Sequence, residues 1–397
     1  MNNGRRYVAV FLGIFGAILL SILALNLMLG QRSLGSPEVT ALASEWQEKT
    51  HGVTYAPPVT APRPFKILRL LDRLPGINAM ILGSSTGMGI LSAMFPAPIV
   101  PYNFATVANP TANLIGEADY VVSHFGNQVK WLFVTLDWSI GFVYRSEPPH
   151  AVSLTRDAAI GRRSLPDVPL LARLQDALSL PKVKALGAAI KAVVRASNPI
   201  SAFRQTFFQP ASDDYRCSDG TPAKDFDVIH RGRCVGYRYD GSHTFGDEDH
   251  LTPGKAAILA RAAAAPSSKF TQFLCETEGK PNPEYLARLA ASARRFAALG
   301  GRMIFLLPPL IPEMEKELLK VSHARTCLER TKSSLADWAR QNDLVVIDAG
   351  QSERYGCAPG EFLDEHHAFP ECHARVFSKF WRDREAGRAG PGLYRPE

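Results

Sequence analysis

Residues 78 to 87 read Asn78-Ala-Met-Ile-Leu-Gly-Ser-Ser-Thr-Gly87. The run from Ile77 to Leu82 is short, mostly apolar and bounded by Gly76 and Gly83. That pattern predicts a strand buried on both faces. The polar residues that follow place Ser85 at the mouth of a helix, immediately beyond the end of the strand.

Further apolar runs resemble this one. Strands are predicted at Ile99–Asn103, Val129–Leu136, Met303–Leu307 and Leu344–Asp348. Helices are predicted between and after them at Thr111–Gly126, Pro283–Leu299, Glu313–Asn342 and Cys372–Arg384. Strands that alternate with helices predict an α/β fold, a parallel sheet with helices on both faces. Ligands of such sheets bind at the carboxyl ends of the strands, which is where Ser85 falls.

A second motif near the end of the chain reads Phe362-Leu-Asp-Glu-His-His-Ala-Phe-Pro-Glu-Cys-His373. It offers a carboxylate, Asp364, three residues before an imidazole, His367. A serine hydroxyl needs an adjacent base to act as a nucleophile, and that base needs a partner to orient it. The two motifs therefore predict a catalytic triad of Ser85, His367 and Asp364.

Other interpretations of these residues stay open. Ser85 could be only a helix N-cap, or the helix start could bind a phosphate. His366 could serve as the base instead of His367. Acidic residues in the segment Asp240–Asp249 suggest calcium but lack the EF-hand pattern. Four neighbouring side chains could hold a transition metal, namely Glu365, His366, His367 and His373. No second group with clear ligand spacing accompanies them, so we expect neither a metal nor a cofactor.

The two motifs resemble blocks of the SGNH (GDSL-like) hydrolase superfamily. Gly83-Ser84-Ser85 is similar to the block that carries the nucleophile, and Asp364-Glu-His-His367 is similar to the last block. Pro370-Glu371 falls where the family turn precedes the final helix. The resemblance covers roughly residues 76–140 and 285–385. It implies a doubly wound, flavodoxin-like sheet, with Ser85 as nucleophile.

Two intermediate blocks match the family less well. Tyr102-Asn-Phe-Ala105 resembles the second block but lacks its oxyanion glycine, and Thr135-Leu-Asp-Trp138 has an aspartate where the family often has asparagine. The resemblance makes Asn103, Asp137 and Trp138 candidates for oxyanion or substrate binding. A charged Asp137 would repel an oxyanion, so it is either protonated or structural. Asn103 could supply the missing amide or satisfy a turn.

The N-terminus carries an apolar segment. No charged residue occurs from Tyr7 through Gln31, and a run of this length can span a membrane as a helix of about 20 residues. A cleavable signal peptide is the alternative, but its apolar region is usually about 7–15 residues long. We predict an uncleaved anchor at 1–30, a Pro-rich, extended stalk at 31–64 and an α/β domain at 65–397. The N-terminus is expected in the cytoplasm and the C-terminal domain in the periplasm or outside the cell.

Six cysteines, an even number, fit an oxidising compartment. They allow 15 pairings, and proximity in sequence favours Cys217–Cys234 and Cys357–Cys372, which leaves Cys275–Cys327. The Cys357–Cys372 bond would close the loop that carries Asp364 and His367.

A basic, proline-interrupted segment at about 145–253 is predicted to be an insertion in the α/β domain. Residues 145–216 hold 11 Lys/Arg against 6 Asp/Glu, which accounts for most of the formal net charge of +7. Within the insertion, Lys182–Arg195 is an amphipathic helix that could lie on an anionic membrane or pack on the core. Because the basic excess lies behind a membrane span, we expect no nucleic-acid partner.

The resemblance is closest to a membrane-anchored branch that contains alginate O-acetylation proteins and the D-alanyl-lipoteichoic acid transfer protein. It implies an extracytoplasmic serine acyltransferase or esterase that adds or removes an O-acyl group on a cell-envelope polysaccharide. A multi-span membrane acyltransferase is the implied source of the acyl group. The alternative is a catalytically inactive glycan-binding or scaffold subunit of the same fold.

Overall fold

The structure, a computed structural model, describes residues 3–32, 37–55, 62–107, 109–138, 174, 178, 180–208, 236–244 and 254–396. Most of the predicted insertion, with Cys217 and Cys234, therefore lies outside the described residues.

The described strands form two sheets. In chain order the strands are β1 (Thr54–Tyr55), β2 (Ala79–Leu82), β3 (Pro101–Asn103), β4 (Trp131–Thr135), β5 (Gly236–Tyr237), β6 (His243–Thr244), β7 (Arg302–Leu307), β8 (Val345–Asp348) and β9 (Gly392–Tyr394). Six of them make a parallel sheet in the order β3-β2-β4-β7-β8-β9, and a small antiparallel sheet has the order β1-β5-β6. All five predicted strands are confirmed, and β9 was not predicted because three residues beside a proline show no periodicity.

Helices flank the parallel sheet, so the predicted α/β class is confirmed. They are α1 (Asn3–Arg32), α2 (Pro37–Thr50), α3 (Pro62–Arg73), α4 (Thr111–Phe125), α5 (Leu180–Arg195), α6 (Pro199–Phe208), α7 (Lys255–Ala264), α8 (Lys269–Cys275), α9 (Pro283–Ala298), α10 (Met314–Lys320), α11 (Ser322–Gln341) and α12 (Pro370–Glu385). The single helix predicted at Glu313–Asn342 is two helices, because Val321 between them has extended backbone dihedrals.

The prediction of extended, poorly packed chain at 31–64 is wrong for the residues that the structure describes there. Helix α2 packs against α3, and the Gln47 amide donates to the Tyr237 carbonyl at 2.8 Å. The prolines explain the difference. Pro37 and Pro62 are the first residues of their helices, where a missing N–H costs nothing and the fixed φ suits the turn.

Helix α1 contains an apolar stretch, Tyr7–Asn26, of 20 residues. At about 1.5 Å per residue this stretch is about as long as the hydrocarbon core of a bilayer is thick. The prediction of an N-terminal helix capable of spanning a membrane is therefore confirmed by length and composition.

An aromatic cluster fixes the last helix against the sheet. Phe377 of α12 lies 6.1 Å from Phe133 of β4 between ring centroids, and Phe95 contacts both rings. Edge-to-face aromatic contacts of this kind stabilise beyond the area they bury. Because α12 begins three residues after His367, this packing also sets where the predicted catalytic loop lies.

Candidate active site

Ser85 lies just beyond the carboxyl end of β2, where it begins a short 3-10 turn with Thr86 and Gly87. The chain reaches this turn through Gly83, which passes directly over Thr135 of β4. A Cβ atom at Gly83 would overlap the Thr135 hydroxyl, so only glycine allows this close approach. Ser84 caps the turn, since its hydroxyl oxygen accepts from the Thr86 N–H. The Ser85 side chain is left partly exposed.

Asp364 organises the loop before α12. One oxygen of its carboxylate accepts from the backbone N–H groups of His366, at 3.0 Å, and His367, at 2.9 Å. The other oxygen lies 2.6 Å from Nδ1 of the His367 ring. A short Asp-x-x-His turn therefore fixes both the backbone and the ring of His367 with one carboxylate.

His367 and Ser85 meet although 282 residues separate them, with Nε2 of the ring 2.8 Å from Oγ of the serine. A carboxylate only accepts hydrogen bonds, so Nδ1 carries the ring proton and donates a hydrogen bond to Asp364. Nε2 is then free to accept from the Ser85 hydroxyl. The structure thus brings the three predicted triad residues together in the order required of a nucleophile, a base and an orienting acid.

The pKa values of the pair follow from their contact. Burial alone would lower the pKa of His367, but the hydrogen bond and charge of Asp364, with a smaller contribution from the charge of Asp137, raise it above its ordinary value. Burial alone would raise the pKa of Asp364, but the hydrogen bond and charge of His367 hold it well below its usual range. Asp364 is therefore ionised at any pH where the site could work.

The alternative base and the alternative metal site fit less well. His366 lies with its Nδ1 3.8 Å from Asp364, and among the described residues it has no hydrogen bond to Ser85. Ligand atoms of Asp364, His366 and His367 lie within 4.8 Å of one another, but Glu365 and His373 are not part of this group. Two of its three members already bond to each other, which leaves few free ligand atoms for an ion.

Asp137 lies behind the serine turn and is buried. Its carboxylate accepts a 2.5 Å hydrogen bond from the Ser84 hydroxyl. This contact connects the end of β4 to the residue that precedes the predicted nucleophile. Asp137 therefore braces the turn, which fits the structural alternative for this residue.

Asn103 also braces the loop after Ser85. Its amide donates to the carbonyls of Gly87 and Ile90, each at 2.8 Å, and its side-chain oxygen accepts from the Ala105 N–H at 2.9 Å. All these partners are backbone groups, so the turn alternative describes this residue. Trp138 is buried, and its indole N–H donates to the Pro308 carbonyl at 2.8 Å. Neither side chain is aimed at Ser85 by these contacts.

Asp240, from the acidic segment considered for calcium, also holds backbone groups in place. Its carboxylate accepts from the Ser92 N–H at 2.7 Å and from the Ser242 N–H at 2.9 Å. The backbone carbonyl of Asp240 accepts from the Asn103 N–H at 2.7 Å. Residues 245–249 lie outside the described part of the chain.

Sequence reasoning missed a buried polar layer that supports the same loop. Lys66 of α3 is fully buried, and its ammonium group donates to the Ala105 and Asn103 carbonyls. Burial lowers its pKa to about 7. Asn109 donates to the Gly83 carbonyl at 3.3 Å. No local pattern marks these residues, because each partner is distant in sequence.

Two predicted disulfides are confirmed. Cys357 and Cys372 are bonded across a separation of 15 residues, and Cys275 and Cys327 across 52. Closing a loop of about 15 residues stabilises the folded state by about 3 kcal/mol in the chain-entropy model. The first bond encloses Asp364 and His367, so it restricts the loop that carries the base. The predicted Cys217–Cys234 bond lies outside the described residues.

In comparisons with known proteins, no family model matches this chain, and a search of curated proteins finds no match.

Proposed function

We propose that this protein is a membrane-anchored serine acyltransferase or esterase of the SGNH type. The observation that carries the proposal is the continuous hydrogen-bond chain from Ser85 Oγ through His367 to Asp364, at 2.8 and 2.6 Å. The strand order supports it as well. If the six parallel strands are numbered in chain order, the sheet has the order 2-1-3-4-5-6. This order supports a doubly wound, flavodoxin-like arrangement, whose order 2-1-3-4-5 it would extend by one edge strand.

The proposed reaction has two halves. His367 Nε2 takes the Ser85 proton while Oγ attacks the carbonyl carbon of an ester, and the oxyanion forms near the Ser85 N–H at the start of its turn. The protonated ring then gives its proton to the departing alcohol, which leaves an acyl-enzyme. A sugar hydroxyl or a water molecule next attacks the acyl carbon, His367 takes that proton, and Ser85 regains it as the new ester or acid departs.

The proposed substrate is an O-acyl group on a cell-envelope polysaccharide, and this rests on the motif resemblance. Helix α1 would hold the active site close to a membrane, where a multi-span acyltransferase could supply the acyl group. The two disulfides support a domain in the periplasm or outside the cell, since such bonds persist in oxidising compartments. We favour transfer over hydrolysis because an anchor holds the enzyme near a membrane donor.

A second candidate is a glycan-binding or scaffold subunit without activity. Two observations favour it, namely that Asp137 stands where the family often has an oxyanion-binding asparagine and that the Asn103 amide is used by backbone carbonyls. Each lost oxyanion donor costs roughly 10²–10³ in rate in well-studied enzymes.

A fluorophosphonate probe tests which candidate is right. We expect the folded full-length protein to be labelled on Ser85, because His367 raises the nucleophilicity of that hydroxyl. The Ser85→Ala variant should not be labelled, and Ser333→Ala, a matched change at an exposed serine of α11, should still be labelled on Ser85. Peptide mapping by mass spectrometry identifies the site. A folded wild-type protein that takes up no label would favour the scaffold.

The labelling rate should depend on pH in a defined direction. Only neutral His367 can accept the serine proton, and its pKa is raised above the ordinary value of about 6.5. We therefore expect full reactivity at alkaline pH, lost as the pH falls through a midpoint above about 6.5. In Asp364→Asn that midpoint should move to lower pH, since the group that raises the pKa is gone. A midpoint below 6 in the wild type would contradict this assignment of the base.

A further inference from the structure

Helices α5 and α6 pack against the end of α1 and form a small cluster of their own. Leu186 and Val193 of α5 are buried there, and they pack against Ile22 and Leu25 of α1 and Ala202 of α6. Both helices contact α1. We call these two helices, Leu180–Phe208, the α5–α6 hairpin.

The contact with α1 fixes the depth of the hairpin relative to a bilayer. Ile22 and Leu25 lie in the last five residues of the apolar stretch Tyr7–Asn26. At about 1.5 Å per residue they are within about 6 Å of its end. A stretch of this length just crosses the hydrocarbon core. With α1 across the membrane, the hairpin therefore lies at the boundary between hydrocarbon and lipid headgroups.

The hairpin exposes large apolar side chains beside that contact. Ile190 and Val194, one turn apart on α5, are 40% and 69% exposed, and Ile200 and Phe203 of α6 are 84% and 39% exposed. Keeping such apolar surface in water is unfavourable. These four side chains lie next to a helix whose own apolar surface must also be covered by lipid, so one bilayer can cover both.

The charge of the hairpin identifies the kind of lipid surface. Residues Leu180–Phe208 contain five basic residues and no acidic residue. Lys184, Lys191 and Arg195 are exposed, and within the described part of the chain they form no salt bridge. Basic side chains near a membrane are attracted by the negative charge of anionic lipids. A helix with an apolar side and with basic but no acidic residues is typical of helices that lie in the membrane–water interface.

We propose that the α5–α6 hairpin is a membrane-docking platform that lies in the headgroup region of an anionic bilayer at the end of α1. Ile190, Val194, Ile200 and Phe203 enter the acyl-chain boundary, and the lysines and arginine contact lipid phosphates. A second contact with the same bilayer limits the rotation of α1 about its own axis.

Tryptophan placed on the hairpin tests the proposal in the full-length protein. Val194→Trp and Ile200→Trp are reconstituted in vesicles of phosphatidylcholine and phosphatidylglycerol whose acyl chains carry bromine, a quencher of indole fluorescence. Ala188→Trp, an exposed position about 120° around α5 from Val194 and on the side that carries Lys184 and Arg195, is the matched control. Wild-type protein gives the contribution of the native tryptophans.

We expect the added emission of Val194→Trp and Ile200→Trp to shift to shorter wavelength and to be quenched at least about twofold more than that of Ala188→Trp. Quenching should weaken in vesicles of phosphatidylcholine alone. Equal quenching at all three positions, or none at any, would overturn the proposal and leave the apolar side to a protein partner. A near-ultraviolet circular dichroism spectrum like that of the wild type shows that each variant is folded, and neither this spectrum nor the quenching depends on catalytic activity.

Discussion

Ser85→Ala and His367→Ala should each lower kcat/KM for ester turnover at least about 10³-fold, and the double variant should lose no more than either single one. The reason is that, among the residues that the structure describes, His367 accepts the serine proton at 2.8 Å and no other side chain does, so removing either partner ends the same step. Asp364→Asn should be severe but less complete, because the ring remains near Ser85 while its tautomer is no longer fixed. The measurement is hydrolysis of an activated aryl ester by detergent-solubilised, full-length protein.

The neighbouring histidine provides the control for this experiment. His366→Ala removes an imidazole of the same loop that does not bond to Ser85, so it should keep activity within about tenfold of the wild type. Activity that survives His367→Ala but disappears in His366→Ala would show that the wrong base has been assigned. An intact Cys357–Cys372 bond in every variant excludes loss of the loop itself as the cause.

Lys332→Met should destabilise the fold by about 3–5 kcal/mol, the largest stability effect that we expect of a single substitution. The Lys332 ammonium group forms salt bridges with Glu315 and, at 2.9 Å, with Asp348, and all three side chains are buried. The substitution keeps most of the volume but leaves two carboxylates close together with one cation fewer. Arg395, 2.6 Å from Asp348, compensates only part of that charge.

Denaturant unfolding of the wild type and the variant measures the difference. Lys320→Met is the matched control, because Lys320 pairs with Glu317 on the surface and its side chain is 67% exposed. Exposed pairs of this kind contribute about 0–1 kcal/mol, so this change should be nearly neutral. Equal effects of the two substitutions would mean that the side chains of Lys332, Glu315 and Asp348 are hydrated in solution.

Some features of this protein follow from the sequence alone because they depend on residues close to each other in the chain. Short apolar runs predicted the strands of the parallel sheet, apart from β9. The uninterrupted apolar stretch near the N-terminus predicted a helix long enough to cross a membrane. Asp364 and His367 are three residues apart, so one turn suffices to join them. Cys357 and Cys372 were likewise paired from their proximity.

Other features were decided only by the tertiary structure. Ser85 meets His367 across 282 residues because parallel strands end at one edge of the sheet and α12 packs against β4. The sheet also brings Asn103 and Asp137, from the ends of the two strands beside β2, into contact with the turn that carries Ser85. Pro62 begins a helix where the number of prolines suggested a stalk, since proline is compatible with a first turn and only packing decides whether a helix follows. A local pattern fixes which conformations a segment can adopt, whereas the partners of a buried polar group come from distant segments that the fold brings beside it.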